Sequence, residues 1–162
     1  MRDIPPIRVL FVCMGNICRS PTAHGVFQAL VHQENLSSDI EVDSAGTHGF
    51  HIGNPPDLRS QAEAQRRGID LSCQRARRLE TSDLVEFDYI FAMDKANLAN
   101  IRSLQTNVST AQVELMLKYS SSPQLEVPDP YLDDEGFGHV FDLIDDAARG
   151  LLRHIRQTHR IG

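Results

Sequence analysis

The segment from Cys13 to Ser20 brings together residue types that suit phosphate chemistry. Arg19 has a planar guanidinium whose N–H groups match two oxygens of a phosphate, and Gly15 tolerates backbone conformations that other residues resist. A loop that curls over the start of a helix points free N–H groups at a bound anion. Because such a site favours the thiolate form of Cys13, the segment predicts a phosphate-binding loop with a nucleophile facing the bound phosphoryl group.

Cys13 and Cys18 also have simpler explanations. Free cysteines are most often small buried hydrophobic residues, and that remains the alternative to a nucleophile. A zinc site is disfavoured because the two residues do not have the CxxC spacing. A nucleotide-binding P-loop is excluded because no Gly-Lys-Ser/Thr follows the loop. We therefore expect no metal and no cofactor.

The residues on either side of the loop predict a strand before it and a helix after it. Ile7–Val12 is apolar and almost uninterrupted, which is typical of a strand buried on both faces. Ser20 is a preferred N-cap, and Pro21 is favoured at the first helical position. The following apolar residues have the spacing of one helical face: Ala23, Val26, Phe27, Leu30 and Val31. The loop is therefore expected at the carboxyl end of a strand.

The rest of the chain alternates between predicted strands and helices. Further strands are predicted at 40–44, 89–93 and 113–116, and helices at 55–67, after Asp94, and at 137–158. A proline-rich acidic loop spans 123–134. This alternation predicts right-handed crossovers and one α/β domain over 1–162, with a parallel sheet covered on both faces. Such folds bind ligands at the carboxyl ends of their strands, near a topological switch point.

Charge and composition exclude several classes of function. The 162 residues include 16 Lys and Arg against 22 Asp and Glu, giving a net charge of −6. Nucleic-acid phosphates are bound by clustered cations, so we expect no nucleic-acid partner. No apolar run approaches the roughly 18 residues of a membrane span, so we expect no membrane segment. Three cysteines make a disulfide framework improbable and favour the reducing cytoplasm.

Four segments together resemble the low-molecular-weight protein tyrosine phosphatases. Val9–Pro21 is nearly the whole signature of that family, and the other segments follow in the family's order and spacing: Asp43–Thr47, Phe87–Ile90 with Met93-Asp94, and Asp129-Pro130-Tyr131. The resemblance covers almost the whole chain. It implies a four-stranded parallel sheet with helices on both faces, a Rossmann-like three-layer sandwich, with the phosphate loop between the first strand and the first helix.

The resemblance also implies catalytic roles. Cys13 would be the nucleophile, Arg19 would bind phosphate and stabilise the transition state, and Asp129 would be the general acid. The implied phosphate-binding residues are Met14, Gly15, Asn16, Ile17, Cys18, Arg19 and Ser20.

The remaining implied roles support the nucleophile or select the substrate. Ser20 would donate a hydrogen bond to the Cys13 sulfur, and Asn16 and Ser44 would hold the shape of the loop. Phe50 and Tyr131 would wall a slot for an aromatic ring. Cys18 would be the partner of Cys13 in a reversible disulfide.

Three positions depart from the pattern of many relatives. Gln74 stands where many of them have a histidine that braces the loop asparagine. Phe50 stands where many have tryptophan. Leu132 stands where some eukaryotic relatives have a tyrosine that kinases phosphorylate, so that regulation is not implied here.

The predicted function is therefore a metal-free cytoplasmic phosphatase that acts on phosphotyrosine in proteins, with a bacterial tyrosine kinase as one candidate substrate and inorganic phosphate as product. The first alternative is an arsenate reductase on the same scaffold. One such family needs two further cysteines, whereas only Cys73 lies downstream here and Asp129-Pro130 is retained. The second alternative is a phosphotyrosine-binding module without catalysis, although no residue of the catalytic pattern is missing.

Overall fold

A computed structural model describes residues 4–162 and contains four strands and five α-helices. The strands are β1 (Ile7–Cys13), β2 (Ile40–Gly46), β3 (Tyr89–Ala92) and β4 (Gln112–Leu115). The α-helices are α1 (Arg19–Gln33), α2 (Leu58–Arg66), α3 (Asp83–Glu86), α4 (Lys95–Ser103) and α5 (Phe137–His159), and a 3₁₀ helix spans Met116–Tyr119.

The four strands form one parallel sheet in the order β2-β1-β3-β4. The chain leaves β1 for β2 on one side and later returns to β3 on the other side, so the order of strands reverses at β1. A ligand site is expected at such a switch point, beyond the carboxyl ends of the strands. The loop that begins at Cys13 lies at this place, and the predicted fold class is confirmed.

Alternate residues of β1 enter different cores because successive side chains of a strand point to opposite faces. On one face Val9 and Phe11 pack with α1, α2 and α5. On the other face Leu10 and Val12 pack with residues of α3 and α4. Helices therefore cover both faces, which explains why Val9–Val12 is apolar without interruption. Across residues 4–162 no helix, not even the 23-residue α5, is apolar enough over a sufficient length to span a bilayer.

The prediction that Ser20 caps α1 is wrong. The helix begins two residues earlier than predicted, at Arg19 instead of Pro21, and its N-cap residue is Cys18. The hydroxyl of Ser20 does not cap the helix because it lies 3.0 Å from the Cys13 sulfur. Pro21 remains acceptable because it still lies in the first turn, where a backbone N–H has no partner within the helix.

Other boundaries differ for local reasons. The predicted start of α2 at Pro55 is wrong: the helix begins at Leu58, because the Asp57 side chain accepts the N–H of Arg59 at 2.8 Å and acts as the N-cap. The strand predicted to end at Met116 ends at Leu115, where the 3₁₀ helix begins. The short helix α3 was not predicted. The predicted cap of α4 is confirmed, since Asp94 accepts the N–H of Asn97 at 2.7 Å.

Candidate active site

The loop between β1 and α1 has the form of an anion cradle. Within the described chain, none of the backbone N–H groups from Met14 to Arg19 donates a hydrogen bond to a protein acceptor. The last of these groups, that of Arg19, belongs to the start of α1, where the helix dipole adds partial positive charge. Gly46 lets the loop approach β2 closely, because a Cβ there would lie 2.7 Å from the carbonyl oxygen of Met14. The loop can therefore offer several N–H donors to one phosphate.

Cys13 ends β1 at the base of this cradle, and its residue is only 3% exposed. Its sulfur lies 3.0 Å from the hydroxyl of Ser20. The side-chain amide of Asn16 donates to the same hydroxyl oxygen at 2.8 Å. The hydrogen of Ser20 is then free for another acceptor, and the sulfur is closer than the Ala45 carbonyl at 3.4 Å. The geometry directs the hydroxyl proton of Ser20 at the sulfur.

Asn16 ties the loop to the rest of the molecule. It is buried and its φ of 58° lies in the left-handed region, which asparagine tolerates better than most residues. Its amide also donates to the hydroxyl of Ser44 in β2 at 3.0 Å. Its carbonyl oxygen accepts the backbone N–H of Arg77 at 3.0 Å. Both ends of the amide are therefore bonded, which fixes the curvature of the loop.

Arg19 is 2% exposed, and two acceptors hold its guanidinium in place. Its Nη1 donates to Asp94 Oδ2 at 2.6 Å and to the carbonyl oxygen of Val127 at 2.9 Å. Burial opposes the charged form, but the nearby Cys13 and the carboxylates of Asp94 and Asp129 raise the pKa of Arg19. The guanidinium is therefore a fixed positive charge, and its Nη2 points towards Asp129, whose Oδ2 is 3.8 Å away.

Sequence analysis identified Asp94 only as a helix cap and as part of a family motif. It missed a second task of Asp94, which is to hold the guanidinium of Arg19. One carboxylate oxygen caps α4 and the other holds Arg19. The position of Asp94 just after β3 could have indicated this task, because β3 is the neighbour of β1 in the sheet. A carboxylate at the end of that strand lies beside the phosphate loop.

A cavity of about 220 Å³ opens above the loop. Its lining includes five predicted catalytic or slot residues: Cys13, Arg19, Phe50, Asp129 and Tyr131. The loop residues Met14, Gly15, Ile17 and Cys18 also line it, as does His51, which lies next to Phe50 in the sequence. We call the segment Cys13–Ser20 the floor of the cavity, and Phe50, Asp129 and Tyr131 its rim.

The rim differs from the floor in exposure. Phe50 is 72% exposed and Tyr131 is 46% exposed. The ring of Phe50 stacks on His48 at a centroid distance of 5.3 Å, and the ring of Tyr131 lies 6.4 Å from His51. Two aromatic side chains therefore stand at the mouth, and each has a histidine beside it.

Arg59 joins the rim to α2, a contact that sequence analysis missed. Its Nη2 donates to the backbone carbonyl of Tyr131 at 3.0 Å and to Asp57 at 2.9 Å. Its Nη1 also pairs with Asp134. The loop that bears Asp129 is therefore attached at Tyr131 and at Asp134, while Asp129 itself accepts the N–H of Tyr131 at 3.0 Å.

Cys18 is buried behind the loop and also lines the cavity. Burial, together with the charges of Asp57 and Cys13, raises the pKa of the Cys18 thiol to about 12. The thiol is therefore protonated at neutral pH.

Within residues 4–162 no three His, Cys, Asp or Glu side chains come together in a group that could hold a metal ion.

Comparison with known proteins gives one consistent result. The sequence model of a family described as low molecular weight phosphotyrosine protein phosphatase matches residues 8–160. The human protein of that name is 44% identical over 147 residues, which cover 89% of this chain and 92% of the human protein. The structure of YfkJ from Bacillus subtilis has a TM-score of 0.90 and 40% identity, covering 97% of this chain and 99% of YfkJ. A protein tyrosine phosphatase from Entamoeba histolytica also has a TM-score of 0.90, with 33% identity and coverage of 94% and 99%.

Proposed function

Because this chain belongs to the low molecular weight phosphotyrosine protein phosphatase family, we propose that it hydrolyses phosphotyrosine in proteins through a phosphocysteine on Cys13. The single observation that supports this most strongly is the geometry of the floor. The buried sulfur lies within a loop of free N–H groups, beside a guanidinium held by Asp94. That arrangement supports in-line attack by the sulfur on a phosphoryl group held in the loop.

In the first step the Cys13 thiolate attacks phosphorus in line with the leaving oxygen. The sulfur–phosphorus bond forms as the bond to the tyrosyl oxygen breaks, and Asp129 gives its proton to that oxygen. The free N–H groups and Arg19 stabilise the charge on the three equatorial oxygens. The products of this step are a free tyrosine side chain and a phosphocysteine.

In the second step Asp129, now a carboxylate, takes a proton from water while the water oxygen attacks phosphorus. The sulfur leaves as a thiolate, and inorganic phosphate is released. The hydroxyl of Ser20, 3.0 Å from the sulfur, stabilises the departing thiolate. One carboxyl can serve as acid and then as base because the two steps are near mirror images.

The rim gives the reaction its preference for an aromatic ester. Phe50 and Tyr131 stand at the mouth of the cavity, and Cys13 lies at its base. A phenyl ring held between them reaches the thiolate with its phosphate, whereas phosphoserine has no ring to hold. We expect a phosphotyrosine peptide to be hydrolysed far more efficiently than the matching phosphoserine peptide. Comparable kcat/KM values for the two peptides would contradict the slot.

The rival functions are separable with the same preparation. Phosphate release from phosphotyrosine peptide or p-nitrophenyl phosphate excludes a non-catalytic binding module. Thiol oxidation that depends on arsenate would instead support an arsenate reductase.

For the physiological partner, we propose phosphoproteins of the cytoplasm, with bacterial tyrosine kinases as candidates. Capture of phosphoproteins by the Asp129→Ala variant identifies them, because that variant binds substrate but turns it over slowly.

We also propose that peroxide controls the enzyme reversibly through Cys18. Peroxide oxidises the Cys13 thiolate to a sulfenic acid and is reduced to hydroxide, and the Cys18 thiol then displaces water to form a disulfide. Support comes from the two cysteines lining the same cavity. We expect dithiothreitol to restore activity after peroxide treatment, and phosphate to protect against inactivation. The Cys18→Ser variant should recover less as exposure lengthens; its full recovery after long exposure would remove the protective role.

A further inference from the structure

His24 is a titratable residue that the proposed mechanism leaves unused. It lies on α1 four residues after Ser20, so both residues share one face of the helix. Its side chain is half-buried, and its Nδ1 lies 3.4 Å from the hydroxyl oxygen of Ser44. Ser44 is the residue to which Asn16 bonds. His24 is therefore at the far end of a series of contacts that begins at the Cys13 sulfur.

The protons along this series can be assigned from the hydrogen-bonding capacity of each group. Asn16 has two amide hydrogens, and they go to Ser20 and to Ser44. Ser44 accepts one of them and has one hydroxyl hydrogen of its own to donate. Two acceptors lie within reach of that hydrogen: His24 Nδ1 at 3.4 Å and Gln74 Oε1 at 3.5 Å.

Gln74 is held in place by a separate contact. Its Nε2 donates to the backbone carbonyl of Pro21 at 3.0 Å. The structure places no bond between Gln74 and Asn16, which is bonded instead to Ser20, Ser44 and the N–H of Arg77. Gln74 therefore contacts the loop asparagine only through Ser44, as His24 does, and the Ser44 hydroxyl lies at nearly the same distance from both acceptors.

The surroundings of His24 favour its neutral form. Burial lowers the pKa of His24 below its usual value, although the charge of Asp43 and contacts with the Gln28 and Gln74 amides act in the opposite direction. Asp43 in turn pairs with Arg77 at 3.2 Å. His24 and Asp43 line a groove, and the other titratable side chains of that groove come from α1 and from the segment after α2: His32, Asp70, Cys73 and Arg75. A neutral ring can accept a hydrogen at Nδ1, and a protonated ring cannot.

We propose that His24 is a positioning residue for the Cys13 nucleophile: its neutral ring accepts the hydroxyl proton of Ser44. A serine that donates its own proton is a stronger acceptor for the amide of Asn16. That amide then keeps the proton of Ser20 directed at the sulfur. The role concerns the catalytic step of the proposed phosphatase, and so it rests on the proposed function.

Protonation of His24 would reverse one link. The cationic ring donates from Nδ1 to Ser44, so the ring and the amide of Asn16 compete for the lone pairs of the same hydroxyl oxygen. His24 is neutral at pH 7 and becomes charged only as the pH falls through its lowered pKa. The positioning is therefore present at neutral pH and is lost on the acid side.

The test compares three variants with the wild type: His24→Leu, His24→Asn and His32→Leu. Leucine removes the acceptor, whereas the side-chain oxygen of asparagine can take the place of Nδ1. His32 is exposed on the same helix and lines the same groove without bonding to Ser44, so it is the matched control. The readouts are kcat and KM for p-nitrophenyl phosphate, Tm, and the pH dependence of Cys13 alkylation by iodoacetamide, followed by mass spectrometry of the Cys13 peptide.

We expect His24→Leu to lower kcat by about 3- to 10-fold with KM unchanged, the effect of losing one hydrogen bond. The midpoint of Cys13 alkylation should move to higher pH. His24→Asn should stay within about twofold of wild-type kcat, because it restores an acceptor, and His32→Leu should behave as the wild type.

An alkylation midpoint that does not move in His24→Leu overturns the proposal, as does an equal loss of kcat in His24→Asn and His24→Leu. Alkylation does not require turnover, so it separates the two ideas. A wild-type protein without phosphatase activity contradicts the proposed function, whereas an unchanged alkylation midpoint contradicts the role of His24.

Discussion

The floor and the rim of the cavity are built in opposite ways. The floor begins at the end of a central strand, and its buried side chains are fixed by hydrogen bonds among Cys13, Asn16, Ser20 and Ser44. The rim consists of exposed side chains from two loops, and its main attachment is the contact of Arg59 with the backbone of Tyr131.

We infer from this difference that the floor carries out the chemistry and that the rim selects the substrate. The floor must hold a charged sulfur and a phosphate in one geometry, which requires fixed donors that do not reorganise during the reaction. The rim only has to hold an aromatic ring and present a proton. Substitutions in the floor should therefore remove catalysis for every substrate, whereas substitutions in the rim should change the ranking of substrates.

The largest effect is expected from Cys13→Ser. A hydroxyl in the cradle is a far poorer nucleophile than a thiolate, so kcat should fall by at least about a thousandfold for all substrates. Phosphate should still bind, since the N–H donors and Arg19 are unchanged. Steady-state kinetics and isothermal titration with phosphate measure the two quantities. Retention of more than about a hundredth of the wild-type rate would mean that catalysis does not pass through Cys13.

Asp129→Asn should have the next largest effect, and that effect should depend on the leaving group. Loss of the general acid should slow phosphotyrosine hydrolysis by roughly 10²- to 10⁴-fold. p-Nitrophenyl phosphate should lose less, because its phenolate leaves without needing a proton. The basic limb of the pH–rate profile should also weaken. Equal losses for both substrates would assign Asp129 to the structure of the loop rather than to proton transfer.

Phe50→Ala should have the smallest effect and should appear in KM. Stacking of this kind contributes about 0.5–1.5 kcal/mol beyond buried area, so KM for phosphotyrosine peptides should rise by about 2- to 10-fold. The side chain is mostly exposed, and the Tm should therefore hardly change. Phosphoserine peptides provide the comparison, because their rates should not respond. A large fall in Tm, or an equal loss for both peptides, would place Phe50 outside the substrate slot.

The fold could be predicted from sequence because each strand and helix shows its own pattern. Ile7–Val12 is apolar on both faces, and α5 has an apolar stripe over several turns, so neither depends on distant residues for its identification. The short helix α3 was missed because it shows no such pattern. The helix α3 has four residues, too few to show a helical period.

Without the family resemblance, the site was predictable only where local sequence contains the information. The thiol, the glycine and the arginine of the floor lie within one segment, so their spacing indicates their chemistry. The bond between Arg19 and Asp94 joins residues that are 75 positions apart. The bond from Arg59 to Tyr131 joins residues that are 72 positions apart. The wrong prediction for Ser20 has the same cause. A helix cap is predicted from neighbouring residues, whereas the contact between the Ser20 hydroxyl and the Cys13 sulfur exists only in the folded loop.

The most direct test of the account is to trap the phosphocysteine. Wild-type enzyme mixed with excess p-nitrophenyl phosphate is quenched in acid during turnover, digested and analysed by mass spectrometry. The account predicts one phosphoryl group on Cys13, its absence in Cys13→Ser, and its accumulation in variants in which the second step is slowed. Active enzyme with no phosphoryl group on Cys13 at any quench time, or with the group on another residue, would contradict it.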